Sequence, residues 1–275
     1  MSATQIHPTA IVDPSAQLGA GVYVGPYCII EASVVLGDGC WLQHHVTICG
    51  PTSIGRDNKF FAYSSIGQQT QDLKYHGEPT CLRIGDNNCF REFVTVHRGT
   101  SPNSCTRVGS HGNFLAYSHI AHDCIVGDSV IFSNNGTIAG HVEVGDHAVI
   151  GGLTAVHQFC RIGRHAITGG CSKIVQDVPP FMIADGNPAV VRGVNQIGLE
   201  RHDFPPETVR AIRDAYRLLY RSKWNVNQAA DKIREQEKLS AIPEISQLLD
   251  FITTSQRGII RKPLQRAALS EAESD

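Results

Sequence analysis

Stepping along the chain six residues at a time from Ile6 lands on apolar side chains: Ile6, Val12, Leu18, Val24, Ile30, Leu36, Leu42, Ile48, Ile54, Phe60 and Ile66. The phase then meets Asp72 and Glu78, returns at Ile84, Phe90 and Val96, and fails at Pro102. It resumes from Val108 through Ile162, slips at Thr168 and closes at Ile174. Of these 29 positions 25 are aliphatic or Phe, where a chain that is 41% hydrophobic would give about twelve. Two residues before most of them stands a small or β-branched side chain, as at Cys28, Val34, Cys40, Val46, Cys124, Ala148 and Cys160, and Gly often follows. Period six is neither the 3.6 of a helix nor strand alternation. It is the hexapeptide signature of a parallel β-helix, three hexads closing one 18-residue coil.

The interruptions place two loops on this prism, near 68–82 and near 98–107, and loops on a rigid solenoid tend to carry function. After Ile174 the period stops. A connector containing Val178-Pro-Pro-Phe and Gly186-Asn-Pro leads to helical spacing at Val209, Ile212, Tyr216 and Leu219. Two more helices are predicted over 225–238 and 243–256, with a break near Ser240. The domains are therefore 1–190, a mainly β parallel β-helix of hexapeptide repeats; 191–262, a small α-helical C-terminal domain; and 263–275, a disordered tail.

Coil arithmetic then locates chemistry. With the two insertions allowed for, Ile66, Val96, Ile120, Ile138, Val156 and Ile174 form one column. His97, His119, His122, His141 and His157 lie beside it, five of the thirteen histidines on four successive coils. Successive coils are about 4.8 Å apart, so these imidazoles line a groove. Histidine suits general-base work near neutral pH. Asp123 follows His122 and can fix its tautomer if the two converge at a turn. Gly140, one coil higher, offers a backbone N–H unobstructed by a side chain, as an oxyanion stabiliser requires. Zinc is the alternative use of such histidines, and a silent scaffold using only the flat faces is another.

Composition narrows the classes. Lys plus Arg is 24 and Asp plus Glu 26, a net charge of -2, which gives no broad basic surface for nucleic acid. No apolar run is long enough for membrane insertion, and the N-terminus does not read as a signal peptide. Nine cysteines without a Cys-x-x-Cys pair suggest free thiols in a reducing, cytoplasmic location. The run Arg257-Gly-Ile-Ile-Arg-Lys-Pro-Leu-Gln-Arg carries four positives and no acid, either a docking patch for an acidic partner or a solvated tail.

Several segments go further. Gly67-Gln-Gln-Thr-Gln-Asp-Leu-Lys-Tyr-His-Gly-Glu-Pro-Thr, Thr95-Val-His-Arg-Gly-Thr, His119-Ile-Ala-His-Asp-Cys, Leu153-Thr-Ala-Val-His-Gln-Phe-Cys and Gln176-Asp-Val-Pro-Pro-Phe resemble the UDP-N-acetylglucosamine O-acyltransferases of lipid A synthesis. These are hexapeptide-repeat left-handed β-helix proteins, and the resemblance runs from about residue 5 to about 261. It implies transfer of a 3-hydroxyacyl chain from acyl carrier protein to the 3-hydroxyl of UDP-N-acetylglucosamine, by a homotrimer, without cofactor or metal. It implies His122 as base, Asp123 as its support and Gly140 as oxyanion donor. Gln71, Asp72, Lys74, His97, His119, His141, His157 and Gln158 would line the groove, and Asn195 and Arg201 would meet the uracil or the diphosphate. Gly170 matches the position that measures acyl length, and an open glycine there favours about fourteen carbons. The chain departs from the family pattern at Ile197, where an acidic residue is expected, and at His202, where Arg is common.

Overall fold

The computed structural model describes residues 3–261. Short strands of two to four residues follow one another at the predicted spacing from Gln5–Ile6 to Lys173–Ile174, and each pairs in parallel with the strand one coil away. They form three faces of a triangular prism. The first face ends in an added hairpin, Met182–Gly186 antiparallel to Ala189–Val194. The predicted column is the spine of the second face: Ile66 pairs with Val96, Val96 with Ile120, Ile120 with Ile138, Ile138 with Val156 and Val156 with Ile174.

The hexad residues fill the interior because a prism this narrow has room for one large side chain per strand. Phe60, Phe90, Phe114 and Phe132 stack along the axis at 5.1, 4.7 and 5.3 Å between ring centres. The smaller preceding positions, Cys28, Cys40, Cys124 and Cys160, are fully buried beside them. At the corners the chain turns through left-handed backbone even at non-glycine residues, among them Asp123, His141 and Phe159 with φ of 58°, 60° and 63°. Such a conformation costs most residues about 1–2 kcal/mol, and the ladders on either side hold it.

The two loops are tighter than the interrupted period suggests. Strands Ser65–Gln68 and Cys81–Ile84 bound the first, leaving 69–80; Thr95–His97 and Cys105–Val108 bound the second, leaving 98–104. Two cysteines at these boundaries correct the free-thiol expectation: Cys81 and Cys105, adjacent in register with Cα atoms 4.5 Å apart, form a disulfide. Seven cysteines are free. The pair was legible as a common offset, each standing three residues before a hexad residue, Ile84 or Val108.

Beyond the hairpin lie helices α1 (Gln196–Arg201), α2 (Pro206–Tyr220), α3 (Val226–Arg234), α4 (Glu237–Ser240) and α5 (Pro243–Thr253). Their shared core includes Leu199, Ile212, Leu219, Ile233, Leu248 and Ile252. Asn225 and Gln228 form a capping box at the start of α3. The single helix expected over 225–238 is broken at Gln236, which turns to φ -91°, ψ 93°, and Leu239 is buried beyond the bend. α1 had no counterpart in the sequence reading, being too short to show a period. Arg257 donates to the Val175 carbonyl and Ile259 and Ile260 are buried, so the basic run is packed on the last coil as far as Ile260. The expected disordered tail and the rest of that run, from Lys262 onward, lie outside the described residues. Among the described residues no helix is long and apolar enough to cross a membrane.

Candidate active site

His122 and Asp123 sit at the corner between the second and third faces. The left-handed turn at Asp123 swings two sequence neighbours together, and His122 Nδ1 lies 2.9 Å from Asp123 Oδ2. The carboxylate is held from several sides. The Thr100 backbone N–H donates to Oδ2 at 3.0 Å, and the Asp123 N–H donates to the Thr106 hydroxyl at 2.8 Å. Burial pushes the Asp123 carboxyl up, but the His122 ring, the Ser104 hydroxyl, the Thr100 N–H and His141 together outweigh it and leave it below the usual carboxylate range. An ionised carboxylate only accepts, so Nδ1 of His122 carries a proton, and in the neutral ring Nε2 is the acceptor.

Gly140 explains its own identity. A Cβ built there would overlap Cε1 and Nε2 of the His122 ring, closer than real Cβ atoms approach. Among the described residues its N–H donates to no backbone carbonyl. Gln71, Asp72, Lys74, His97, His119, His122, Gly140 and Gln158 all line one groove with a cavity volume of about 680 Å³. Loop 69–80 forms its outer wall. Asp72 Oδ1 accepts the Lys74 N–H at 2.9 Å, and the Thr100 hydroxyl donates to the Thr70 hydroxyl at 2.8 Å, tying this loop to the next. Leu73 at its tip is 96% exposed.

The remaining candidates distribute differently. His141 stacks on Phe159 at 4.6 Å between ring centres and brings Nε2 to 3.8 Å from Asp123 Oδ2. His157 is exposed, its Nδ1 3.0 Å from the Gln158 carbonyl, and is not among the groove-lining residues. Gly170 is exposed at the first-to-second-face corner, and among the described residues only the Gly152 carbonyl lies near where a Cβ would stand, at 3.5 Å. Asn195 caps α1 and donates from Nδ2 to the His165 carbonyl at 2.9 Å. Arg201 ends α1, and within one chain neither residue lines the groove. His202 packs against His147 and His165, with ring centres 4.7 and 4.9 Å away. The cradle residues Thr100, Ser104 and Thr106 escaped the sequence reading; their only signal was membership of, or adjacency to, the second inserted loop.

Burial favours the neutral form of two groove histidines, His97 and His119. Burial, then His119 and His122, push the His97 ring down to about 4, and burial, then His122, lower His119. A histidine whose pKa falls on folding contributes stability that is complete above its unfolded value near 6.5 and is lost as pH drops towards the folded value. Thermal melts between pH 7 and pH 4.5 are therefore expected to show falling stability below about 6.5, with a shallower fall in His97→Gln. Parallel curves for parent and variant would show that His97 does not take up a proton on unfolding in this range.

A hexapeptide prism with an imidazole–carboxylate pair opening on a side groove defines a hexapeptide-repeat acyltransferase. The profile described as UDP-N-acetylglucosamine O-acyltransferase, domain 2, matches residues 177–260. An acyl-[acyl-carrier-protein]–UDP-N-acetylglucosamine O-acyltransferase of Thermodesulfovibrio yellowstonii is 49% identical over 258 residues, 94% of this chain and 99% of that protein. The structure of LpxA from Acinetobacter baumannii is 46% identical, with a TM-score of 0.90 over 93% of this chain and 99% of that one. Francisella novicida UDP-N-acetylglucosamine acyltransferase is 34% identical, with a TM-score of 0.91 over 98% and 100%. The chain belongs to the UDP-N-acetylglucosamine O-acyltransferase family, and its prism is a left-handed parallel β-helix.

Proposed function

We propose that this chain moves a 3-hydroxyacyl group from acyl carrier protein to the 3-hydroxyl of UDP-N-acetylglucosamine, the first step of lipid A synthesis, in the cytoplasm. The observation that carries the mechanism is the His122–Asp123 pair beneath the bare Gly140 backbone. His122 Nε2 takes the proton of the sugar hydroxyl as its oxygen attacks the thioester carbonyl. The resulting oxyanion accepts from the Gly140 N–H, and Asp123 steadies the imidazolium. Collapse of the intermediate breaks the carbon–sulfur bond, and His122 returns its proton to the departing thiolate. His97, His119, Gln71, Asp72, Lys74 and Gln158 bind and orient the two substrates along the groove, with His141 beside the pair and the exposed His157 available to the substrates.

Ile174 stands three coils above Ile120, about 14 Å at about 4.8 Å per coil. A long acyl chain spans that distance to the Gly170 corner, which supports about fourteen carbons. In an assay with 3-hydroxyacyl carrier proteins of ten to fourteen carbons, the parent is expected to favour the longest. Gly170→Met, entering open space on permissive backbone, is expected to reverse that preference by at least about tenfold. An unchanged preference would remove Gly170 from the acyl path.

A homotrimer is part of this reading, with Asn195 and Arg201 meeting the uracil or diphosphate. The exposed corner stripe Tyr27, Tyr63, Phe93, Tyr117 and Leu153, 41–62% exposed, supports it as a surface a second copy would cover. Sedimentation at micromolar concentration tests the stoichiometry. One further reading has a specific basis: His122, Asp123 and His141 bring ligand atoms within 4.8 Å of one another, a spacing that suits a metal ion. Loss of transfer on treatment with a chelator, restored by zinc, would favour it over the acid–base pair.

A further inference from the structure

The corner column that carries Asp123 also carries the disulfide. Three residues before successive hexad positions on the third face stand Ser15, Ser33, Pro51, Cys81, Cys105, Asp123, His141 and Phe159. The register Arg107↔Ile125 and Val108↔Val126 puts Cys105 one coil below Asp123, and Cys81↔Cys105 puts Cys81 one coil below that. Each cysteine is also the C-terminal foot of an inserted loop. Loop 69–80 carries Gln71, Asp72 and Lys74. Loop 98–104 carries Thr100, whose N–H donates to Asp123 Oδ2 at 3.0 Å, and Ser104. The feet are already laced together: the Cys81 N–H donates to the Ser104 carbonyl at 3.0 Å, and the Asn103 N–H to the Pro79 carbonyl at 2.7 Å.

We propose that Cys81 and Cys105 are a redox-addressable positioning pair for the reaction above, their disulfide fixing the two loop feet under Asp123 so that His122 is held in its productive orientation. This rests on the acyl-transfer reading. Both residues are half-buried rather than sealed in the core, so a small disulfide reagent reaches them. One cysteine thiolate attacks the reagent RSSR, forming a mixed disulfide and releasing RSH. The second thiolate attacks the cysteine sulfur of that mixed disulfide and releases the other RSH. Two thiols are oxidised and one disulfide is reduced, with no other reactant. The remaining free cysteines do not compete in kind: five are buried, and burial pushes Cys49 and Cys124 thiols up to about 12, while Cys89 pairs in register with Lys59 and Asn113 and the exposed Cys171 has no cysteine one coil away.

Full-length Cys171→Ser protein, which removes the exposed thiol, is equilibrated with either oxidised glutathione or dithiothreitol. Peptide mass spectrometry then scores the 81–105 link, and steady-state transfer gives kcat and KM for both substrates. The linked form is expected to turn over roughly three- to tenfold faster than the reduced form with KM little changed, because misplacement of the pair acts on the chemical step. Adding Cys81→Ser and Cys105→Ser should fix kcat at the reduced value in both reagents; serine already stands in this column at Ser15 and Ser33, so the fold accepts it. A linked peptide that never forms, equal kcat in the two states, or a double-serine variant that still responds to the reagent would each overturn the proposal. Absence of transfer in every form would overturn the positioning role together with the reaction, while the linked peptide would still report the bridge itself.

Discussion

His122→Ala is expected to lower kcat by about 10²–10⁴-fold, with the protein still folded. His122 lies at a corner of the prism and not on the interior positions, so its loss leaves the hexad core of Val96, Ile120 and Ile138 intact. The variant should therefore keep the parent's circular dichroism and melt within a few degrees of it. Both halves of the proton cycle depend on the same nitrogen, deprotonation of the sugar hydroxyl and protonation of the departing thiolate, and no second group replaces it. His141 is near but directs Nε2 at Asp123 from 3.8 Å. Among the described residues His97 and His119 lie in the groove without a bonded carboxylate: His119 Nδ1 bonds to the Thr95 hydroxyl at 2.7 Å, and His97 Nδ1 is buried without a partner. Near-parental turnover in a folded His122→Ala protein would move the base elsewhere.

Gly140→Ala is expected to cost at least about a hundredfold in kcat for a different reason. One methyl group at this position overlaps the His122 ring, so either the imidazole leaves its bond to Asp123 or the backbone at 140 withdraws the N–H from the oxyanion. Each removes one component while the other survives. The variant thus separates geometry from chemistry: its His122 is chemically intact, and proton resonances of the ring tell the two outcomes apart, with a changed hydrogen bond at Nδ1 if the imidazole has moved and an unchanged one if the backbone has. Full activity in Gly140→Ala would mean that neither the ring position nor the N–H matters.

The parts of this fold that were legible in the sequence are those that a narrow prism enforces. Interior positions must recur every six residues, so a count from Ile6 recovers the strands, and bridging the two insertions recovers the column that aligns His97, His119, His122 and His141. What surrounds the pair is not periodic. Thr100, Ser104 and Thr106 reach Asp123 from the second inserted loop or the strand that follows it, and a loop has no phase to read. His157 shows what such arithmetic leaves open. It stands next to Val156 as His97 stands next to Val96, yet its side chain is exposed because the spacing fixes a residue's place on the coil and not the direction its ring takes. α1 was missed because six residues are too few to display helical spacing. The disulfide was missed because a common offset from the hexad means contact only once the coils are stacked.

The most direct test mixes the purified chain with UDP-N-acetylglucosamine and 3-hydroxytetradecanoyl acyl carrier protein, with a chelator present, and follows the nucleotide sugar by mass and by the position of the new bond. An ester on the sugar's 3-oxygen, formed by the parent at the same rate with and without chelator, is the predicted result. No acylated nucleotide with any 3-hydroxyacyl length, or a product that disappears with the chelator and returns with zinc, would contradict it.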